Sequence, residues 1–185
     1  MKSYIVILLL IINAGIAKAG TFTFTVSAEV EKSSVVNLSK DKVRTYITDL
    51  TIYPRFFPEI VSVKNLNDSV SEWLYRVDAP LASPYNLTFI LIEKNTSQDT
   101  MILESKDPGP DYLLCKAYFN PIADNRTSVT ISFKISMSRE SASDIHFLAG
   151  LFGEKFISDR MQEKLEDDLE IFIARASKDM YKKFK

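Results

Sequence analysis

The apolar residues of the C-terminal region recur at the spacing of one helix face. Between residues 143 and 180 they follow one another mainly at intervals of three or four. The stripe consists of Leu148, Phe152, Phe156, Ile157, Met161, Leu165, Leu169, Phe172, Ile173, Ala176 and Met180. This pattern predicts one long amphipathic helix over residues 143–180. A second, shorter pattern after Ser39, with Val43, Tyr46, Ile47 and Leu50 on one face, predicts a helix of about three turns.

Most of the chain between residues 21 and 138 alternates apolar with polar positions instead, as strands with one buried face do. The predicted strands cover residues 21–30 with a broken continuation to 37, a stretch from 59 to a turn at 67–69, and then 72–78, 85–93, 100–106, 112–119 and 127–137. Short turns separate most of them, which predicts a mostly antiparallel sheet. Pro54 and Pro58 bracket Tyr53, Phe56 and Phe57, and they predict a short helical turn or a loop there.

The predicted sheet is wider than the helix that must cover it. About seven strands at ~4.8 Å each give a sheet roughly 30 Å wide, whereas one helix measures about 10–12 Å across. We therefore expect an α+β fold in which a curved antiparallel sheet curls around the C-terminal helix. Such an arrangement favours an apolar pocket between sheet and helix. The alternative is that large side chains, including twelve Phe, fill the gap completely.

The N-terminus has the pattern of a targeting segment. Lys2 precedes an apolar run at residues 4–12, and Ala17 and Ala19 offer small residues for cleavage. We expect residues 1–19 to be a cleaved signal peptide and residues 20–185 to form one secreted or periplasmic domain. The alternative is an uncleaved N-terminal membrane anchor. Cys115 is the single cysteine, which excludes an internal disulfide and favours a buried structural thiol.

Candidate chemistry is sparse. The net charge of −1 gives no electrostatic case for binding nucleic acid. His146 is the single histidine, so multi-histidine metal sites are excluded, and no Gly-x-Ser-x-Gly elbow occurs. The acidic run at residues 163–170 is interpreted as a solvated helix face. The lysines that follow suit a helix C-terminus, or a transient contact with an anionic membrane. We expect no catalytic residues, no metal and no cofactor.

One stretch resembles a known superfamily. The helix that closes with Asp49, followed by Tyr53-Pro54, Phe56 and Pro58, is similar to coenzyme-Q-binding and polyketide-cyclase-type members of the START-like (SRPBCC) superfamily. The segment at residues 148–153 also resembles the carbon monoxide dehydrogenase branch of that superfamily. The resemblance covers most of residues 22–178. It implies a helix-grip fold that binds lipids, quinones, sterols or polyketides, with a few members being enzymes. The signal peptide departs from the mostly intracellular members.

The pocket is expected where helix and sheet approach each other. Gly150 and Gly153 remove side-chain bulk from the early helix, either for a ligand or for close packing against a strand. The aromatic residues around Pro54 form either the mouth of the pocket or simple core closure. The candidate ligand-binding residues are Tyr53, Phe56, Phe57, Trp73, Tyr75, Phe89, Phe133, Phe147, Gly150, Leu151, Gly153 and Ile157.

The expected function is binding or transport of an apolar ligand, such as a lipid or a quinone, without catalysis. The early half of the helix, residues 147–157, is expected to contact the ligand, and residues 161–180 to serve as scaffold. One alternative is a cyclase- or aromatase-type enzyme that uses Arg76, Tyr75 or His146 as polar groups of the pocket. The other is a structural or partner-binding domain with a filled core.

Overall fold

The computed structural model describes residues 24–77, 84–94, 96–107, 109–145 and 149–184. The strands are β1 (Phe24–Val36), β2 (Ile60–Asn67), β3 (Val70–Val77), β4 (Tyr85–Glu93), β5 (Thr100–Ser105), β6 (Asp111–Ala123) and β7 (Arg126–Arg139). The helices are α1 (Lys40–Ile47), α2 (Tyr53–Phe56) and α3 (Ala149–Lys183), with 3-10 turns at Leu50–Ile52 and Ala142–Asp144. The predicted signal peptide, the loop at 79–83, and His146, Phe147 and Leu148 lie outside the described residues.

The strands form one antiparallel sheet in the order β1-β7-β6-β5-β4-β3-β2. This order places β1 and β2 at the two edges. The concave face carries the apolar side chains, and α1, α2 and α3 cover it. The prediction of a curved antiparallel sheet of about seven strands around a long C-terminal helix is confirmed.

Most predicted strand faces are also correct, although Val61 of β2 is 48% exposed, and β1 and β6 differ from the predicted strands in their extent. In β7 the residues Val129, Ile131, Phe133, Ile135 and Met137 are all buried. β1 runs without the expected break to Val36, paired with β7 throughout. β6 continues through Pro121 to a register shift before Ala123. Proline is tolerated at a strand end next to an irregularity, because its missing N–H there removes few of the hydrogen bonds between the strands.

Helix α3 agrees with its predicted stripe only in its C-terminal part. Leu165, Leu169, Phe172, Ala176 and Met180 are buried as expected. The prediction that Phe152 and Phe156 belong to the same buried stripe was wrong, because they are 50% and 44% exposed. Gly153 interrupts the helix with φ 77° and ψ 164°, so the face occupied by Phe152 is not continuous with the face beyond it. Phe156 and Ile157 lie about 100° apart around the helix axis, and only Ile157 packs against the core.

Side chains of α3 also cover the free edge of β1. Three alternate N–H groups of the strand donate to side chains that are four residues apart in the helix. The pairs are Thr25 N with Glu154 Oε1 (2.7 Å), Ser27 N with Ser158 Oγ (3.1 Å), and Glu29 N with Gln162 Oε1 (2.9 Å). Two strand residues advance about 6.8 Å and four helix residues about 6 Å, so the two repeats match. The unpaired edge, otherwise a template for another strand, is thereby occupied.

Candidate functional site

The middle of the concave face is filled by an aromatic cluster. Tyr53 lies 4.9 Å from Trp73 and 5.0 Å from Phe172, measured between ring centroids, and Phe57 lies 4.9 Å from Phe133 and 6.0 Å from Phe172. All five side chains are at most 1% exposed. No water-sized space therefore borders these rings, and a ligand that touched them would have to displace one of their neighbours.

The corner between α1 and β2 positions two of these rings. Asp49 accepts hydrogen bonds from Thr51 N (3.2 Å) and Thr51 Oγ1 (2.6 Å), and this caps the 3-10 turn before α2. Pro54 lies in the first turn of α2, where its missing N–H costs little. Phe57 N then donates to Tyr53 O over 2.8 Å. The Asp, Tyr-Pro and aromatic pattern thus builds a rigid corner that directs Tyr53 and Phe57 into the sheet.

Several half-buried apolar residues lie at the end of the sheet where α3 begins, which we call the open end. It is defined by the half-buried residues Val77, Tyr85, Ile145 and Ile157, which pack against the core. Val77 and Tyr85 pair where β3 ends and β4 begins, and Tyr85 Oη donates to Met137 Sδ at 3.7 Å. Since α3 also begins at this end, the open end is bounded by the sheet and the early part of the helix.

The remaining predicted ligand-binding residues are spread over several environments. Tyr75 and Phe89 are buried, with centroids 6.4 Å apart, between the aromatic cluster and the open end. Phe56 is half-buried beneath Arg55. Ile157 belongs to the open end, whereas Leu151 is 79% exposed and lies on the surface. Phe147 lies outside the described residues.

Neither glycine lies in a close contact with the part of the chain that the structure describes. A Cβ atom at Gly153 would have no heavy atom within 4 Å among the described residues, and one at Gly150 would meet Ala142 Cβ at an ordinary 3.8 Å. Gly153 is required for its backbone conformation, since its φ of 77° is one that residues with a side chain rarely adopt. The helix–strand packing offered as one reason for the glycines is therefore wrong.

An ionic cluster with two buried carboxyl groups and a half-exposed lysine joins α3 to the residue before β2, and sequence reasoning missed it. Lys164 Nζ contacts Glu59 Oε1 and lies 2.5 Å from Asp168 Oδ1. Glu59 and Asp168 are only 6% and 1% exposed. The interpretation of the acidic run at residues 163–170 as a solvated face was therefore wrong at Asp168. The signal was present, because Asp168 stands three residues after Leu165 and four before Phe172, on the buried stripe.

The pKa values of Glu59 and Lys164 in this cluster are both raised. Burial raises the pKa of Glu59 to about 7, the hydrogen bond to Asp168 adds to the rise, and Lys164 opposes it. Burial alone would lower the pKa of Lys164, but its bonds to Asp168 and Glu59 outweigh this and raise it. Glu59 Oε2 and Asp168 Oδ2 are buried without a hydrogen-bond partner among the described residues.

The other candidate reactive groups among the described residues lie in different environments. Burial raises the pKa of Cys115 to about 12, so its thiol stays protonated at neutral pH. Tyr75 and Arg76 point to opposite faces of β3, and Arg76 is on the exposed face. Within the described ranges, no three His, Cys, Asp or Glu residues are grouped to hold a metal ion. No helix in those ranges is long and apolar enough to cross a membrane.

The fold is similar to several solved structures. The di-domain aromatase/cyclase StfQ of the steffimycin biosynthetic pathway matches with TM-score 0.58 and 10% identity, over 85% of this chain and 51% of that one. This chain thus spans about half the length of that protein. The aromatase/cyclase Zhui from Streptomyces sp. R1128 matches with TM-score 0.57 and 14% identity, over 86% and 96% of the two chains. A START superfamily protein from Mycobacterium smegmatis matches with TM-score 0.52 and 14% identity, over 77% and 94%.

By sequence, no protein-family model and no curated protein matches the chain. Structural similarity at such low identity establishes the fold and leaves the activity open. It agrees with the resemblance seen around Asp49, Tyr53 and Pro54. The chain has the helix-grip fold of the START-like (SRPBCC) proteins.

Proposed function

We propose that this protein binds an apolar small molecule, such as a lipid or a quinone, at the open end between the sheet and the early part of α3. The observation that carries the proposal is the contrast along the concave face. The aromatic cluster fills its middle, whereas Val77, Tyr85, Ile145 and Ile157 keep apolar surface partly exposed. Covering such surface yields about 25 cal/mol per Å², so an apolar ligand needs few polar contacts.

Tyr85 provides the polar contact of this site. Among the described residues its hydroxyl donates to the thioether of Met137, a weak acceptor. Burial raises the pKa of Tyr85, so the hydroxyl remains a donor at neutral pH. A ligand carbonyl or carboxylate that reached the open end would be a stronger acceptor for the same proton. This favours an amphipathic ligand with an oxygen-containing head.

The protein is proposed to act as a carrier outside the cytoplasm, secreted or periplasmic, after cleavage behind Ala19. The pattern of residues 1–19 supports this, and the alternative is that the segment stays as an anchor. N-terminal sequencing of the protein isolated from its native cells distinguishes the two. A chain that begins at Gly20 supports the carrier, and a chain that begins at Met1 contradicts it.

A transient membrane contact would let such a carrier load and unload. An exposed apolar patch on early α3, consisting of Leu151, Phe152 and Phe156, supports this contact. Phe152 and Phe156 stack at 4.9 Å, and Lys155 and Arg160 flank them. Co-sedimentation with vesicles of phosphatidylcholine and phosphatidylglycerol tests the contact. The double variant Phe152→Ser, Phe156→Ser should sediment less than the wild type, and equal sedimentation would contradict the contact.

The ligand is tested by native mass spectrometry of the purified protein, followed by organic extraction and titration with oleate and decylubiquinone. We expect added mass at one equivalent, and weaker binding in an Ile157→Asp variant. A Val35→Asp variant is the control, because Val35 lies on the convex face and is 46% exposed. A wild-type protein that gains no mass from either probe contradicts the proposed function.

A cyclase-type enzyme is the alternative, and the two aromatase/cyclases of similar fold are its support. It requires turnover of a polyketide-like substrate that depends on a polar group of the pocket. Loss of such turnover in Tyr85→Phe, with ligand binding retained, would replace the carrier proposal by the enzyme.

A further inference from the structure

Three polar side chains lie on the concave face at the open end. Tyr85 begins β4, Asp111 begins β6 and Arg139 ends β7. Because neighbouring strands are antiparallel, these positions meet at the same end of the sheet. Each stands two residues from a buried apolar position of its own strand and therefore on the same face. The buried positions are Leu87, Leu113 and Met137.

Arg139 and Asp111 form a bidentate ion pair. Arg139 Nη1 donates to Asp111 Oδ1 over 2.7 Å, and Nη2 donates to Asp111 Oδ2 over 3.1 Å. Nη1 also donates to the backbone oxygen of Ser138 over 2.9 Å. The two charged side chains are only 22% and 24% exposed, so solvent screens them in part. The positive charge of Arg139 is therefore already neutralised by a carboxylate of the protein.

The ion pair lies within electrostatic range of the Tyr85 hydroxyl. Met137, whose thioether accepts the proton of that hydroxyl, stands directly opposite Asp111 in the ladder between β6 and β7. Burial raises the pKa of Tyr85, the charge of Arg139 lowers it, and the charge of Asp111 raises it. A ligand oxygen that accepted a hydrogen bond from Tyr85 would therefore lie beside both members of the pair.

Two further carboxylates lie near the pair. The hydrogen bond to Asp111 raises the pKa of Arg139, and the charge of Asp144 adds to this rise. Glu154 accepts from the N–H of Thr25, the residue after the β1 position that pairs with Arg139. A ligand carboxylate at this place would join three carboxylates of the protein around the guanidinium of Arg139.

We propose that the pair of Arg139 and Asp111, together with Tyr85, selects a ligand whose polar head is neutral, such as an ester, a ketone, a quinone or an alcohol, and disfavours a free carboxylate. A neutral carbonyl accepts the Tyr85 proton without adding charge. A carboxylate brings an unbalanced charge into a half-buried apolar site, which is costly. This inference rests on the proposed function, because it concerns the ligand at the open end.

The test compares two probes that share an alkyl chain, dodecanoate and its methyl ester. Both are titrated into the wild-type protein by calorimetry at pH 8, below the concentrations at which they aggregate. At that pH the acid is ionised, since carboxyl groups have pKa values of about 4. We expect the ester to bind at least about tenfold more tightly than the acid, a difference of about 1.4 kcal/mol.

The variant Asp111→Asn should remove this preference, because it deletes the carboxylate that neutralises Arg139 and keeps the shape of the side chain. We expect the affinity for the acid to rise about tenfold, since Arg139 can then pair with the ligand, and that for the ester to stay within about threefold. Asp99→Asn is the matched control. Asp99 is ion-paired too, with Lys40 at 2.9 Å, and it precedes β5 at the opposite end of the sheet. This control should leave both affinities unchanged.

Equal or tighter binding of the acid by the wild type would overturn the inference while leaving the proposed function in place. An Asp111→Asn protein with the wild-type preference would overturn it as well. Asp111→Ser serves as a second variant if Asp111→Asn does not fold, and circular dichroism checks the fold of both. A wild-type protein that binds neither probe contradicts the proposed function, and the inference falls with it.

Discussion

The two parts of α3 on either side of Met161 carry the same kind of apolar stripe but have opposite environments. After Met161, Leu165, Leu169 and Phe172 are buried against the sheet. Before it, Phe152 and Phe156 face outwards although they stand four residues apart. The comparison shows that an apolar stripe in a sequence identifies a helix face that avoids water. The stripe does not identify the partner that covers this face. In the later part the sheet does so, and in the earlier part we propose a ligand and a membrane.

The early part is also held by weaker contacts. Its bonds to β1 are side chain to backbone bonds at a half-exposed edge, each contributing about 1 kcal/mol. The later part is held by the aromatic cluster, where Phe172 contacts both Tyr53 and Phe57. A helix anchored firmly at one end and lightly at the other can admit a ligand without unfolding.

The largest effect on stability is expected from truncating one phenylalanine in each part of α3. Phe172→Ala should lower the free energy of unfolding by about 3–5 kcal/mol, because it opens a cavity inside the aromatic cluster. Phe156→Ala should change it by less than about 1 kcal/mol, since that ring is 44% exposed and lies outside the aromatic cluster. Urea denaturation followed by tryptophan fluorescence of Trp73 measures both. Equal losses in the two variants would show that the early part is as firmly packed as the later one.

The second test concerns the break that separates the exposed Phe152 from the rest of the helix. Gly153→Ala should cost about 1–3 kcal/mol, because alanine is strained at a φ of 77°. Gly150→Ala is the matched control and should be neutral or stabilise by up to about 1 kcal/mol, since its new methyl group meets only an ordinary contact. Thermal unfolding monitored by circular dichroism measures both variants. A Gly153→Ala protein as stable as the wild type would contradict the break.

The smallest test concerns the hydrogen bonds to β1. Gln162 accepts from Glu29 N and donates to Glu29 O at 2.8 Å, so Gln162→Ala removes both bonds. We expect a loss of about 1–2 kcal/mol and faster hydrogen exchange at the Glu29 amide. Glu163→Ala, on the neighbouring exposed position, is the control and should leave that amide unchanged. Unaltered exchange at Glu29 in Gln162→Ala would mean that α3 does not protect the edge.

Much of the fold followed from local pattern. The alternation along β7 and the spacing of Leu165, Leu169 and Phe172 specify which faces are buried, because strand and helix periods differ. The corner at Asp49 and Pro54 was recognised for a similar reason, since a cap and a proline act within a few residues. These features depend on neighbours in the chain, and the sequence shows such neighbours directly.

The candidate site was less predictable. The aromatic rings Tyr53 and Phe57 were expected either at a pocket mouth or in a closed core, and in the structure they pack against Phe133 and Phe172. Which of the two applied depended on how far the sheet curls, a property of all seven strands together.

By itself the sequence determined the secondary structure, the buried faces and the helix-grip architecture, because these follow from periodicity and from the width of a sheet that one helix cannot cover. Only the tertiary structure decided that Glu59 meets Asp168, more than one hundred residues later, around the single charge of Lys164. It likewise decided that β1 is bonded to α3 along its free edge. Both contacts join chain segments that approach each other only once the sheet has curled, so no local pattern records them.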